Sequence, residues 1–334
     1  MQGYEPAYGY ATRVEKTQPE PAQEGTSAEY EPAYGYATPV AKPQPEPQKQ
    51  IAVLLARRAH RPAGGDNRAT HFSKIVLPFP DKPNIEMRMC TITWVREDRQ
   101  YDLFCNRDER KTRKRAIPPA VHRTNDVSFL APIDGDAGGT WIAANESGLT
   151  LTLLNYYHAS VAVEPPAVRS RGLLVADLVT CTDLQEIEDA LRNVELQQYN
   201  PFVLISFSAS DDPLRSRWDG SILLHDRLSD SDLPLTTSAF EPGRVAQARR
   251  KTFSEYRDLW GGISIDMLNA YHRSVEDEDS ACAVCMDRSD SSTVSFTHVT
   301  ISPDEISMAY AEVEGRTGTF GESHDVVLPV ATEV

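Results

Sequence analysis

The chain has 334 residues, of which 40% are hydrophobic and 25% are charged, and its formal net charge is −15 at pH 7. Residues 1–88 hold 11 Lys+Arg and 10 Asp+Glu, so the remaining 23 and 39 give residues 89–334 a net charge of −16. A segment this acidic is not expected to bind nucleic acid or anionic lipid non-specifically.

Five cysteines are scattered along the chain without a secretory leader, at Cys90, Cys105, Cys181, Cys282 and Cys285. This odd, dispersed set favours a reducing, cytoplasmic location over a disulfide framework. Cys282 and Cys285 form a CxxC, but no second CxxC or nearby histidine pair completes a zinc site, so neither a metal nor a cofactor is expected. No stretch approaches the roughly 18 apolar residues of a membrane span.

Residues 1–88 are rich in Pro, Glu, Gln, Tyr and Ala, and a nine-residue segment that begins at Tyr4 recurs at Tyr30 with a period of 26. Two copies of a proline-rich segment cannot build a solenoid, so the composition predicts a disordered extension. Three origins fit it: a genuine tail, a propeptide, or a wrongly assigned start codon.

The first predicted structure is a hairpin. Residues 91–95 alternate, residues 101–105 are short, apolar and aromatic, and residues 96–100 between them are polar, which predicts two strands and a turn. If the turn centres on Asp98, Cys90 pairs with Asn106, and Arg107 and Asp108 lie just beyond. A thiol, an arginine and carboxylates at one strand end form a candidate active site.

Cys90 follows Met89, so a chain that started at Met89 and lost it would begin with Cys90. A free α-amino group, with a pKa of about 8, can act as the base for its own side chain. Arg107 beside it would favour the nucleophilic thiolate. From the hairpin alone, a small buried cysteine at the start of a strand explains Cys90 equally simply.

The basic run at 110–115 is typical of a solvated face, with the rim of an anion site as the alternative. Residues 140–144 and 149–154 are predicted strands around a turn at Asn145–Gly148. Asn155, at the end of the second strand, is an oxyanion donor if it faces Cys90, and otherwise a turn residue.

The rest of the chain alternates between helical and extended patterns. The predicted helices span 168–181, 184–194 (capped by Asp183), 245–260 and 265–272. The predicted strands or extended segments span 201–207, 216–224 (broken at Asp219-Gly220), 233–240, 281–286, 293–300 and 305–311. Blocks of strands separated by blocks of helices favour an α+β fold over βαβ repetition.

Six short motifs in this order resemble the NRDE family, also called the Transport and Golgi organisation protein 2 family, over about residues 89–312. They are Met-Cys-Thr at 89–91, Asn-Arg-Asp-Glu at 106–109, Gly-Gly-Thr-Trp at 138–141, Asn155, Ser-Arg-Gly at 170–172 and Thr-Val-Ser at 293–295. That family is similar to the cysteine branch of the N-terminal nucleophile hydrolases. The resemblance implies a four-layer αββα sandwich at 89–312, after the extension at 1–88 and before a tail at 313–334.

The resemblance also implies roles for individual residues. Cys90 resembles the nucleophile, Arg107 the arginine that activates it, and Asn155 the oxyanion donor. Asp108 resembles the carboxylate that orients the α-amino group, with Glu109 as the alternative. Further substrate-binding residues are expected at Asn106, Glu109, Trp141, Arg171, Thr237 and Ser238; the last two replace the branch's second asparagine.

Two functions follow from this resemblance. The first is a cysteine-dependent amidohydrolase or acyltransferase that acts on a small acyl or amide substrate, which requires that residues 1–89 be absent. The second is a non-enzymatic carrier of a hydrophobic ligand such as haem or an acyl lipid, in which His158 or His122 would contact haem. A weaker third hypothesis is a scaffold recruited through residues 1–88.

Overall fold

The computed structural model describes residues 89–157, 169–275, 279–314 and 318–331. The predicted disordered extension, His158 and the repeat lie outside the described residues. The described residues form two seven-stranded sheets whose strand pairs are antiparallel.

The first sheet contains the strand that begins at Met89, and its order is β10-β1-β2-β11-β12-β13, with β14 also paired to β12. Its strands are β1 Met89–Glu97, β2 Gln100–Arg110, β10 Leu235–Ser238, β11 Ser291–Ile301, β12 Glu305–Glu314, β13 Thr319–Phe320 and β14 His324–Pro329. The second sheet follows the chain from β3 to β9. Its strands are β3 Ile117–Thr124, β4 Val127–Ile133, β5 Ile142–Asn145, β6 Thr150–Asn155, β7 Phe202–Phe207, β8 Leu214–Trp218 and β9 Leu223–Arg227.

Within the described residues, four α-helices cover the outer faces of the sheets: α1 Arg171–Leu178, α2 Leu184–Asn193, α3 Pro242–Trp260 and α4 Ile265–His272. Helices α1 and α2 pack on the second sheet, where Leu174 and Ile187 share a buried cluster with Leu151. Helices α3 and α4 cover the first sheet, and the His272 ring stacks 6.0 Å from that of Phe104. None of the helices in these ranges is long and apolar enough to cross a membrane.

The inner faces of the two sheets pack against each other through aromatic rings. Phe207 of the second sheet lies 5.5 Å from Trp94 and 5.7 Å from Tyr101 of the first, centroid to centroid. The Tyr101 hydroxyl donates to the Gly148 carbonyl across the interface, at 3.0 Å. The layers therefore run helix, sheet, sheet, helix, which confirms the predicted αββα sandwich.

The register of the first hairpin corrects the sequence prediction by one residue. Cys90 pairs with Arg107, and Thr91 pairs with Asn106. The reason is that Asp98 and Arg99 form a two-residue turn, so the pairing is centred between residues and not on Asp98. Arg99 takes a positive φ of 56° in this turn.

Three other predictions need correction. Residues 281–286 form turns and bends, not a strand, because they are tied locally by bonds such as that from Cys282 N to Asp279 O at 2.7 Å. The expected tail at 313–334 contains β13 and β14, and β14 pairs with β12 over six residues. Strands β3 and β4 are absent from the sequence predictions. Strand β3 is an edge strand with a register shift between Ile117 and Ala120, where its prolines are tolerated.

Candidate active site

Three neighbouring strands bring Cys90, Arg107 and Thr237 side by side. Cys90 on β1 is paired with Arg107 on β2 and with Thr237 on β10. Directly opposite residues of antiparallel strands point to the same face of the sheet. The Cys90 side chain is therefore flanked by a guanidinium on one side and a hydroxyl on the other.

Cys90 opens onto a cavity of about 340 Å³ between the two sheets. Three of the four residues expected to be catalytic line it, namely Cys90, Arg107 and Asn155, and so do Glu109, Trp141 and Arg171 from the expected binding set. The fourth, Asp108, borders the cavity, but its side chain points away from it. Arg113 of the basic run at 110–115 also lines the cavity, together with four residues that the sequence did not single out, Asp134, Asp136, Arg169 and Asn200.

Arg107 is held on three sides. Its Nη2 donates to Asp134 Oδ2 at 2.7 Å and to Glu109 Oε2 at 3.2 Å. Its guanidinium lies 4.3 Å from the centroid of the Trp141 ring, a cation–π contact. Because two carboxylates already neutralise Arg107, an anionic ligand would have to compete with them for this guanidinium.

Burial decides the protonation state of the Cys90 thiol, because this residue is only 8% exposed. Desolvation, followed by the negative charge of Asp108, raises the pKa of the Cys90 thiol to about 12, and Arg107 opposes this shift. The effect of Arg107 has the sign that the sequence suggests, but burial outweighs it. In the chain as it stands the thiol is protonated at neutral pH, and the Cys90 nitrogen is an amide.

Asp108 points to the opposite face of the first sheet from Arg107, since successive strand residues alternate. Its carboxylate accepts from Thr293 Oγ1 at 2.6 Å and from Arg249 Nη2 at 3.1 Å. Both side chains of the Asp108–Arg249 ion pair are fully buried. Desolvation raises the pKa of Asp108 above its usual range, and the Arg249 charge opposes this.

Sequence reasoning missed Arg249, although a signal for it exists. Val245, Arg249 and Phe253 are the buried residues of α3 and recur every four positions. A charged residue on an apolar helical stripe is expected to find a buried partner. Arg249 finds two, Asp108 and Thr91 Oγ1, the latter at 2.5 Å.

Three of the expected binding residues do not line the cavity. Asn106 faces the helices and donates to the carbonyls of His272 and Val284 at 2.9 and 3.1 Å. Ser238 donates to the carbonyl of Phe240, because it sits in the turn that leads into α3. Thr237 lies beside Cys90, but its hydroxyl oxygen is buried and has no partner within the described part of the chain.

Asn155 does line the cavity, where its Nδ2 donates to the Tyr157 hydroxyl at 2.9 Å. Of the two histidines considered for haem, His122 has its Nε2 3.0 Å from the Ala131 carbonyl oxygen. Within the described ranges, no three His, Cys, Asp or Glu residues are grouped so that they could hold a metal ion. Cys282 and Cys285 are buried and not joined in a disulfide.

The layer order, with a cysteine at the start of an inner strand facing a cavity between the sheets, defines a fold of the N-terminal nucleophile hydrolase class. Residues 89–227 match the model of the family described as Transport and Golgi organisation 2. This match confirms the family resemblance that the motifs predict.

Three solved structures illustrate what the chain resembles. A mutant conjugated bile acid hydrolase from Clostridium perfringens is 12% identical with a TM-score of 0.42, covering 73% of this chain and 97% of that one. A Caenorhabditis elegans orthologue of N-acylethanolamine-hydrolyzing acid amidase is 13% identical with a TM-score of 0.46, covering 63% and 91%. Penicillin V acylase from Agrobacterium tumefaciens is 13% identical with a TM-score of 0.36, covering 71% and 90%. No curated protein sequence matched the chain.

Proposed function

We propose that the protein is a cysteine-dependent amidohydrolase or acyltransferase acting on a small acyl or amide substrate once Cys90 is the first residue. The observation that carries this proposal is the placement of Cys90 directly opposite Arg107, in a cavity that Asn155 also lines. Removal of residues 1–89 would convert the Cys90 amide into an α-amine with a pKa of about 8. The positive charge of its protonated form would favour the thiolate that burial now disfavours.

In the proposed reaction the α-amine takes the thiol proton as Cys90 Sγ attacks the acyl carbon and forms a C–S bond. The carbonyl electron pair moves onto oxygen, where the Asn155 amide and a backbone N–H would stabilise the oxyanion. As it collapses, the C–N bond breaks and the proton passes to the leaving amine. Water then hydrolyses the thioester to a carboxylic acid, or a second amine or alcohol takes the acyl group.

The test is a pair of cysteine variants of protein made in its native host, assayed with chromogenic N-acyl 4-nitroanilides. Intact-mass spectrometry first establishes whether Cys90 is the first residue. Cys90→Ser is expected to lower turnover by at least about 10³-fold, because the nucleophile is lost. The matched control is Cys105→Ser. Cys105 lies on β2, on the same face of the sheet as Arg107; it is 2% exposed and does not line the cavity. Unchanged turnover in Cys90→Ser would refute the proposal that Cys90 is the nucleophile of a cysteine-dependent enzyme.

One observation favours the second function, a carrier of a hydrophobic ligand such as haem or an acyl lipid. With Met89 still attached, the raised pKa of the Cys90 thiol leaves little thiolate at neutral pH and makes it a poor nucleophile. The carrier would need only the cavity. Hemin titrated into the full chain is then expected to bind equally to the wild type and Cys90→Ser, and more weakly to Arg107→Ala. Equal binding by all three would exclude this cavity as the ligand site.

A further inference from the structure

We propose that Asp134 is a positioning residue of this site, which fixes the Arg107 guanidinium beside Cys90 and thereby sets the reactivity of the thiol. The inference rests on the proposed function only in taking Cys90 as the reacting group. Asp134 belongs to none of the sequence motifs. It directly follows β4 in the second sheet, whereas Cys90 and Arg107 belong to the first.

Both oxygens of the Asp134 carboxylate accept hydrogen bonds. Oδ2 accepts from Arg107 Nη2 at 2.7 Å and from Arg113 Nε at 3.1 Å. Oδ1 accepts from Arg113 Nη2 at 2.7 Å and from the backbone N–H groups of Asp136 and Ala137 at 3.1 and 2.8 Å. Donors that reach one carboxylate from three directions leave it a single orientation. These bonds also hold the pKa of Asp134 below its usual range, although burial opposes them.

Asp134 closes a square of alternating charges, made of Arg107, Asp134, Arg113 and Glu109. Arg107 bonds both carboxylates, at 2.7 and 3.2 Å, and Arg113 lies 2.7 Å from Asp134 and 3.5 Å from Glu109. All four side chains are at most 17% exposed, so solvent screens them little. Without Asp134, Glu109 would be the one carboxylate among the described residues shared by both guanidiniums, which would repel each other, while Asp136 would remain beside Arg113 only.

The backbone around Asp134 is itself fixed. Its N–H donates to the Gly139 carbonyl at 2.7 Å, and its carbonyl accepts from Gly138 N–H at 3.0 Å. The carboxylate is thus anchored to a closed loop of the second sheet. Arg107, whose strand belongs to the first sheet, is held from across the cavity.

Asp134 acts on Cys90 through Arg107. The charged groups that shift the pKa of the Cys90 thiol are Asp108, Arg107 and Glu109. If Asp134 merely neutralised Arg107, its removal would strengthen the positive charge beside the thiol. If Asp134 positions Arg107, its removal would withdraw that charge. The two roles predict opposite changes in thiol reactivity.

The experiment measures the rate at which iodoacetamide alkylates Cys90 in the full chain at pH 9, with the site identified by peptide mass spectrometry. The partly buried Cys181 serves as the internal reference. The variants are Asp134→Asn, Arg107→Ala and the double variant. The matched control is Asp226→Asn, a carboxylate of β9 that accepts from Arg215 Nε at 3.0 Å and does not line the cavity. Asparagine keeps the shape of the Asp134 side chain. It replaces a carboxylate oxygen, which accepts from the guanidiniums, with an amide NH2 group, which can only donate.

We expect Asp134→Asn to slow alkylation about three- to tenfold, as Arg107→Ala does, since the thiolate fraction falls tenfold per pKa unit. The double variant should be no slower than Arg107→Ala alone, and Asp226→Asn should match the wild type. Faster or unchanged alkylation in Asp134→Asn, or additive losses in the double variant, would overturn the proposal.

Asp134→Glu guards against a folding defect, because it keeps the charge and moves the carboxylate by one methylene. It should give an intermediate rate, and a wild-type rate would contradict the positioning role. Because the experiment measures alkylation and not turnover, the positioning role of Asp134 is supported or refuted independently of whether N-acyl substrates are hydrolysed.

Discussion

Two fully buried side chains near the site, Arg249 and His272, are stabilised in different ways. Arg249 forms a fully buried ion pair with Asp108. His272 has its Nε2 2.8 Å from the Thr93 hydroxyl. Desolvation, with smaller repulsion from Arg249 and His298, lowers the pKa of His272 to about 3. Burial therefore keeps His272 neutral across the physiological range.

His272 is expected to make the protein sensitive to acid. Its pKa is about 3 when folded and about 6.5 when unfolded, so between these values only the unfolded chain binds the proton. The stabilisation is complete above pH 6.5 and is lost as the pH falls towards 3, at up to about 1.4 kcal/mol per pH unit. Urea unfolding from pH 7 to pH 4 measures this slope.

His272→Gln should reduce that slope by the contribution of one proton. Thr93→Val is the matched control, because it removes the hydrogen-bond partner and leaves the titrating ring, so it should lower stability and keep the slope. Equal slopes in the wild type and His272→Gln would contradict the assignment.

At the scale of elements, two of the family motifs interlock. Gly139 precedes Thr140, whose N–H donates to the carbonyl of Gly172 in α1 at 3.0 Å. A Cβ on Gly139 would lie 2.4 Å from Gly172 C, and one on Gly172 would lie 2.9 Å from Thr140 O. These glycines let the loop that carries Asp134 approach the first turn of α1, the helix that brings Arg171 to the cavity.

Gly139→Ala is expected to lower the free energy of unfolding by about 1–3 kcal/mol, because backbone atoms would have to separate to admit the methyl group. Urea denaturation measures the change. Gly243 in α3 offers a matched control, since a Cβ there would meet no atom within 4 Å. Gly243→Ala should be neutral or slightly stabilising. A neutral Gly139→Ala would show that the contact is not tight.

At the scale of the whole molecule, the first sheet draws strands from both ends of the described chain. Its strand β1 begins at Met89, and β14 ends at Pro329. Leu328 on β14 is 6% exposed and belongs to the same buried hydrophobic cluster as Trp94 and Phe207. Strand β14 is therefore part of the core, not of an extended tail.

A chain that ends after residue 312 is expected to lose cooperative folding, because the outer edge of β12 and the core beneath Leu328 would be exposed. Leu328→Ala in the full chain is the milder test, with an expected loss of about 2–4 kcal/mol. Thermal unfolding followed by circular dichroism measures both. A truncated chain with the melting temperature of the full chain would contradict this role for β14.

Local patterns determined much of what could be predicted. Alternation identified β1, a short apolar and aromatic run identified β2, and helical patterns identified α2 and α4. Asp183 was correctly placed as the cap of α2, where its side chain accepts from Glu186 N–H. The order of the motifs identified the family. These features depend on residues close in sequence, so their physical causes are visible there.

Tertiary structure decided the rest. The turn at Asp98-Arg99 set a register that places Arg107, not Asn106, opposite Cys90. Asp134 meets Arg107 only because the two sheets pack face to face, and burial, not the neighbouring arginine, governs the Cys90 thiol. Desolvation and contacts between sheets depend on distances across the folded chain, which local sequence patterns do not encode.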